Sequence, residues 1–337
     1  MKNLGHNVFT LLALLALSGC VSIKIDEQTA FEPPKREVGP ATTVAELDAR
    51  MISDRFKSGV DEGIWHLDPV ANGGTQVSFR SDGPSGRAGN SLPPSAVYRN
   101  GFIGSGAARI AWTMYTKVGT DNKELGSDRP LIVHCAGNAG DRYQSGPDYA
   151  ANLLTWADVL VFDYPGYGDT PGPASAASFE AASRALTEHV VGLSQNRKLV
   201  FWGHSLGGFV CSRLASTTPG TDGLVLETTA PNAAAVARAW TPSYARLLVR
   251  AKVAPSLASY DVVSDSSQIR APILVLGATK DGVLPVALAR QVADGLKLRN
   301  ANVTYHEFPN AKHQSVPYQA GFKDVVANFF QTVESQP

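Results

Sequence analysis

A chain of 337 residues, 44% apolar and 18% charged, is long enough for a sizeable core and has the composition of a globular protein. Thirty basic residues balance thirty acidic ones, so nothing in the overall charge points to nucleic acid or to attraction onto an acidic surface. Three cysteines, Cys20, Cys135 and Cys211, are too few for a disulfide framework, and no Cys/His group has zinc-site spacing, so no metal and no cofactor are expected.

Lys2 supplies a positive start and Val8 to Leu17 a short apolar run, which together read as an export signal. The run ends in Leu17-Ser18-Gly19-Cys20, which resembles the bacterial lipobox. That resemblance implies that residues 1–19 are a lipoprotein signal peptide, and that Cys20 carries lipid and becomes the mature N-terminus. Two or more acyl chains anchor stably where one does not. Val21 is not the aspartate associated with inner-membrane retention in some enteric bacteria, so the outer membrane is the expected address in the cell envelope. The alternative is an ordinary secretory signal cut nearby, leaving a free cysteine. Residues 21–40, with Pro33, Pro34 and Pro40 and few apolar side chains, read as a solvated tether.

Thr43 to Phe56 is predicted helical, with Val44, Leu47, Met51 and Ile52 as its apolar stripe. The stretch 20–72 is thus read as tether plus N-terminal helix. From Gln76 to about Lys117 the pattern is β-like: Val77–Arg80, Ala96–Tyr98 and Ile110–Tyr115, separated by turns, read as antiparallel edge strands.

Pro130 to Cys135 is a buried-strand run that flows into Ala136-Gly137-Asn138-Ala139-Gly140-Asp141. A glycine-rich loop after a strand can turn backbone N–H groups towards a developing oxyanion; an ordinary strand-to-helix turn is the alternative. Val159 to Phe162 is the next buried strand, followed by Asp163-Tyr164-Pro165-Gly166-Tyr167-Gly168-Asp169-Thr170-Pro171-Gly172. A helix over Phe179–Leu193 leads to the strand Leu199–Trp202 and then Gly203-His204-Ser205-Leu206-Gly207-Gly208. That is G-x-S-x-G between strand and helix, where a sharp turn lifts the serine clear of the sheet. Gly203 and Gly207 lack the side chains that would collide across it.

These three motifs resemble the serine-hydrolase branch of the α/β-hydrolase superfamily that includes the Bem46-like and ABHD-type lipid hydrolases. The likeness covers roughly residues 100–330. It implies an α/β-hydrolase fold: a mostly parallel central sheet, helices on both faces and a short helical cap. The domain would span 73–337, with the cap at about 230–268. Three positions depart from the family pattern: Ala136 for histidine, Pro165 for arginine and Thr170 for serine. None removes a backbone donor or the nucleophile.

Residues 230–268 interrupt the β/α alternation with helical sequence around Ala233–Ala239 and Tyr244–Lys252. Trp240, Tyr244, Leu247, Leu248 and Val249 lean the cap towards an acyl-chain or partly apolar substrate, unless they simply pack on the body. Beyond it, Pro272–Gly277 reads as a core strand that delivers Asp281, with the family's D-x-x-x-P spacing to Pro285; Asp261 and Asp265 are weaker candidates. A helix over Pro285–Leu296 and a strand over Val303–Phe308 lead to a loop carrying His313, where the family places its base. His306 competes from a strand position, and His134 and His204 read as structural. The order Ser205, Asp281, His313 is that of the α/β hydrolases.

The expected function is a lipid-anchored serine hydrolase acting on a carboxylic ester or thioester, with an ester or lipid-like small molecule as substrate. The triad would be Ser205, His313 and Asp281, and the oxyanion donors the backbone N–H groups of Leu206 and Asn138. A peptidase or amidase, an acyltransferase on the same triad, or a non-catalytic envelope lipoprotein are the alternatives. Cys135 and Cys211 could pair in the oxidising compartment of an exported protein, but two buried free thiols are the expected case. Oligomeric state is not legible.

Overall fold

The computed structural model describes residues 21–34, 38–57, 64–70, 74–80, 96–117, 128–143, 145–246, 249–299 and 302–336. The signal at 1–19 and Cys20 lie outside the described residues. In chain order the strands are β1 Val21–Ile25, β2 Ile64–Val70, β3 Gly74–Arg80, β4 Ala96–Ile103, β5 Ile110–Lys117, β6 Leu131–Cys135, β7 Asp158–Phe162, β8 Leu199–His204, β9 Thr221–Glu227, β10 Val249–Val253, β11 Ile273–Ala278 and β12 Val303–Phe308.

One ten-stranded sheet runs in the order β12-β11-β9-β8-β6-β7-β5-β4-β3-β2. From β12 to β7 every pairing is parallel, and from β7 through β5 to β2 every pairing is antiparallel. The division follows the residue pattern. β6, β7, β8 and β11 are buried along their whole length, so both faces need helices over them. Leu131, Val133 and Cys135 pack into one apolar cluster with Phe179, Leu186, Val210 and Leu214; Ile132 points to the opposite cluster, with Leu153, Phe329 and Phe330. Helices Ala176–Leu193, Leu206–Thr217 and Ala287–Lys297 thus cover one face, and Ser145–Leu153 and Phe322–Glu334 the other. This is the α/β-hydrolase fold.

Five features differ from the sequence reading. The sheet starts at Ile64, ahead of residue 73, and the helix Phe322–Glu334 was not anticipated. The described part of Tyr244–Lys252 is not α-helical: after a single 3-10 turn at Ser243–Ala245, Val249–Val253 is a strand, because it finds a partner in β1. Local helical preference yields to that pairing.

The fourth difference is that residues 21–34 are no tether. β1 runs parallel to β10 in register from Val21–Val249 to Ile25–Val253, and Ala254 N–H continues the ladder by donating to the Ile25 carbonyl at 2.8 Å. Asp26 then caps the short helix Glu27–Ala30. Phe31 follows, buried and stacked on Phe179 at 4.9 Å. Composition averaged over 21–40 hides the cause: Val21, Ile23 and Ile25 alternate as a strand does, ahead of the prolines.

Lastly, Cys135 and Cys211 form a disulfide, with Cα atoms 5.9 Å apart, rather than two free thiols. The close approach originates at Gly207. A Cβ there would lie 1.9 Å from the Cys135 carbonyl oxygen, so helix Leu206–Thr217 rests directly on the end of β6. One turn later Cys211 faces Cys135. The bridge closes a separation of 76 residues. Reduction, or Cys135→Ser with Cys211→Ser, should cost roughly 2–5 kcal/mol in denaturant unfolding; an unchanged midpoint would contradict this.

Candidate active site

Strand β8 ends at His204, and helix Leu206–Thr217 begins one residue after Ser205. Ser205 between them has φ 55° and ψ −117°, a conformation that L side chains rarely adopt. The neighbouring strand end holds it there. Ser205 N–H donates to the Glu227 carbonyl at 2.9 Å, and Thr229 Oγ1 donates to the Ser205 carbonyl at 2.8 Å.

The structure brings the three residues read as a triad together. His313 Nε2 lies 2.9 Å from Ser205 Oγ, and His313 Nδ1 lies 2.7 Å from Asp281 Oδ2. β11 and β12 are adjacent parallel strands, so the loops at their carboxyl ends, carrying Asp281 and His313, emerge side by side. Asp281 Oδ1 accepts from the N–H groups of Val283 and Leu284, each at 2.8 Å, which turns Oδ2 towards the imidazole. The His313 carbonyl is held from below by His204 Nε2 at 3.0 Å and Thr228 Oγ1 at 3.2 Å. His306 instead packs edge-on against Phe308, away from this group. Asp261 caps the helix Val262–Ser266, and Asp265 pairs with Arg213.

The loop after β6 approaches the same serine. A Cβ built on Gly137 would sit 3.5 Å from Ser205 Cβ and 2.8 Å from His204 Nδ1, so no side chain fits there. Asn138 is held from three directions: its Oδ1 accepts from Glu32 N–H at 2.9 Å and Tyr167 Oη at 2.7 Å, and its Nδ2 donates to the Ala30 carbonyl at 3.0 Å. Tyr164 Oη donates to the Ala136 carbonyl at 2.6 Å. The tyrosines of the Asp163–Gly172 loop therefore support the 136–140 loop at the position where Ala136 replaces the family's histidine. Leu206 opens its helix, where the first N–H groups have no partner within the helix.

Ser205, His313, Leu206, Gly137 and Asn138 all line one cavity of about 1350 Å³. Its far wall is apolar: Phe31, Phe179, Val210, Val236, Ala237 and Leu257. Residues 21–34 and the cap build that wall jointly, a contribution the tether reading missed.

Beneath the triad lies a buried polar group. Glu227 accepts from Trp202 Nε1 at 2.8 Å and from Tyr149 Oη at 3.2 Å. Tyr149 stacks on His134 at 3.8 Å. Burial lowers His134 to about 3 and His204 to about 4, so both stay neutral near pH 7. Burial raises Glu227 to about 7. A raised carboxyl binds its proton more tightly folded than unfolded, so its contribution is present below 4.5 and lost as pH rises to about 7. Glu227→Gln lacks that loss. Its stability relative to wild type should climb by about 1.4 kcal/mol per pH unit across that window; parallel unfolding curves at pH 4.5 and 7.5 would contradict the assignment. A carboxylate ending the apolar run Leu224-Val225-Leu226 was the available signal for this residue; Tyr149 had none.

Residues 130–261 match the family model described as the alpha/beta hydrolase fold. An uncharacterized protein of Mycobacterium tuberculosis is 32% identical over 172 residues, covering 50% of this chain and 58% of that protein. The lysophosphatidylserine lipase ABHD12 of Rattus norvegicus is 26% identical over 213 residues, covering 58% of this chain and 51% of that protein. The chain thus spans somewhat over half the length of these relatives. Among solved structures, a hyperthermophilic esterase from Pyrobaculum calidifontis is similar with a TM-score of 0.52 at 16% identity, over 71% of this chain and 85% of that one, a likeness of fold alone. Sheet order, sequence match and structural likeness agree on the fold: the chain has the α/β-hydrolase fold, and the proteins it resembles in sequence include ABHD12 lipases.

Proposed function

We propose that the protein is a serine hydrolase of carboxylic esters or thioesters with a partly apolar acyl group. The observation that carries this reading is the hydrogen-bonded chain Ser205 Oγ–His313 Nε2 and His313 Nδ1–Asp281 Oδ2, at 2.9 and 2.7 Å, opening into an apolar cavity. His313 takes the Ser205 proton as Oγ attacks the carbonyl, and Asp281 stabilises the imidazolium that forms. The N–H groups of Leu206 and Asn138 hold the oxyanion. His313 then gives the proton to the leaving oxygen or sulfur, and water releases the acyl-enzyme by the same route. These steps use only side chains and backbone of this chain.

The apolar wall of the cavity supports an acyl group as the recognised part, and the ABHD12 relatives are named lipases. A panel of p-nitrophenyl esters from acetate to laurate, with the matching anilides, tests the reading. Turnover should favour medium or long esters over acetate, with anilides cleaved far more slowly. Faster anilide turnover would shift the reading to a peptidase.

In the same proposal the protein is anchored in the bacterial envelope, on the outer membrane, through lipid on Cys20, as Leu17-Ser18-Gly19-Cys20 suggests. Metabolic labelling with an alkyne fatty acid should mark wild type and spare Cys20→Ser. Equal labelling of both would refute the anchor.

A further inference from the structure

The rim of the cavity carries residues that ester hydrolysis does not use. Trp240, Val283 and Tyr318 line it while remaining 62%, 48% and 42% exposed, among the most exposed large apolar side chains described. Trp240 Nε1 donates to the Val283 carbonyl at 2.7 Å, which fixes the indole while most of its surface stays in solvent. Lys24 also lines the cavity, as do the exposed Glu32 and Asp148. The β1–β10 register sets Lys24 beside Lys252 and Ser22 beside Arg250, and all three basic side chains are exposed. Residues two apart on a strand share a face, so the three charges form one patch. Asp26 pairs with Lys24 at 3.1 Å, and the patch stays positive with it counted. The excess is local, since the chain as a whole has zero formal net charge.

Exposed rings beside lysine and arginine suit a membrane–water boundary: the rings sit at headgroup depth and the cations meet anionic headgroups. A protein partner fits less well, because lysine is depleted in the cores of protein interfaces. Val21 directly follows Cys20 and opens β1, so lipid on Cys20 would attach at the edge of this same patch.

We propose that the rim residues Trp240, Val283, Tyr318 and Lys24, together with the adjoining strand residues Arg250 and Lys252, form a docking face for an anionic phospholipid bilayer. The cavity mouth then opens at the headgroup layer, and an amphiphilic substrate passes from the bilayer to Ser205 without crossing bulk water. The docking claim rests on the rim and not on the triad, so it can fail while the hydrolase reading stands.

The test uses the full chain on vesicles of phosphatidylcholine alone, or of phosphatidylcholine mixed with phosphatidylglycerol, each doped with brominated lipid. Tryptophan quenching is compared between wild type and Trp240→Phe, which isolates the contribution of that side chain whatever holds the N-terminus. The expected result is strong quenching of the Trp240 component on anionic vesicles and several-fold less on neutral ones. In K24Q/R250Q/K252Q, with near-UV circular dichroism matching wild type, the docked-to-undocked ratio should fall about fivefold per residue. Equal quenching of wild type and Trp240→Phe overturns the proposal, as does equal quenching on neutral and anionic vesicles. The vesicle comparison needs no variant beyond Trp240→Phe. A detergent-free dimer that Trp240→Ala converts to monomer would place a second copy on the rim and also overturn it.

Discussion

Ser205→Ala is expected to lower kcat on the preferred ester by roughly 10³- to 10⁶-fold, with KM changed little. The size follows from what is removed. Ser205 Oγ is 2.9 Å from the imidazole nitrogen that would take its proton, and no other hydroxyl among the described residues bonds to His313 Nε2. Water attacking in its place would keep the oxyanion donors but lose the positioned nucleophile. KM holds because the apolar wall, built from Phe31, Phe179 and the cap, does not involve the hydroxyl. His313→Ala should fall to a similar floor, and the double variant no lower, since the two act as one unit. Asp281→Asn should cost on the order of 10⁴-fold, because an amide no longer selects the tautomer that Oδ2 imposes at Nδ1. A Ser205→Ala enzyme retaining a tenth of wild-type turnover would place the nucleophile elsewhere.

Arg142→Leu should be the most damaging single change to stability that leaves the triad intact, at roughly 3–5 kcal/mol. Arg142 is fully buried and bonds two buried carboxylates, Asp163 at 3.1 Å and Asp169 at 2.7 Å, with further bonds to Asn100, Thr113 and Tyr143. Asp169 also accepts from the Ala41 N–H at 2.9 Å and from Arg50 and Tyr143. Removing the guanidinium leaves two carboxylates without their central cation, and that, more than the lost attraction, sets the cost. Burial already raises Asp163 to about 7, against the pull of Arg142. Without Arg142 its folded value rises further. A carboxyl raised in the folded state loses its stabilising proton as pH rises, so the variant should be more destabilised at pH 8 than at pH 5. Chemical denaturation at both pH values checks the account; equal losses would point to a packing defect alone.

Much of this is legible in the sequence because the residues read as catalytic sit at strand ends. Apolar runs such as Leu131–Cys135 and Leu199–Trp202 announce buried parallel strands, and the residues after them occupy one edge of the sheet whatever the helices do. Hence Ser205, Asp281 and His313, spread over more than a hundred residues, were placed by element order together with the family resemblance. The misreadings have a common cause in long-range pairing. Val249–Val253 is a strand only because Val21–Ile25 lies beside it, and neither segment carries that fact within itself. Cys135 and Cys211 meet because Gly207 lets a helix settle on β6, which sequence spacing does not express. The Asp163–Gly172 motif was legible as a family mark but not as a support, because its partners, Arg142, Ala136 and Asn138, lie on another loop.

The central claim, that Ser205 is a nucleophile activated by His313, is tested most directly by a fluorophosphonate probe. The probe phosphonylates an activated serine, releases fluoride and needs no knowledge of the substrate. Wild type should be labelled with one probe per chain, and Ser205→Ala and His313→Ala should not be labelled. Folded wild type that takes up no probe, or a Ser205→Ala protein labelled as fully as wild type, would contradict it.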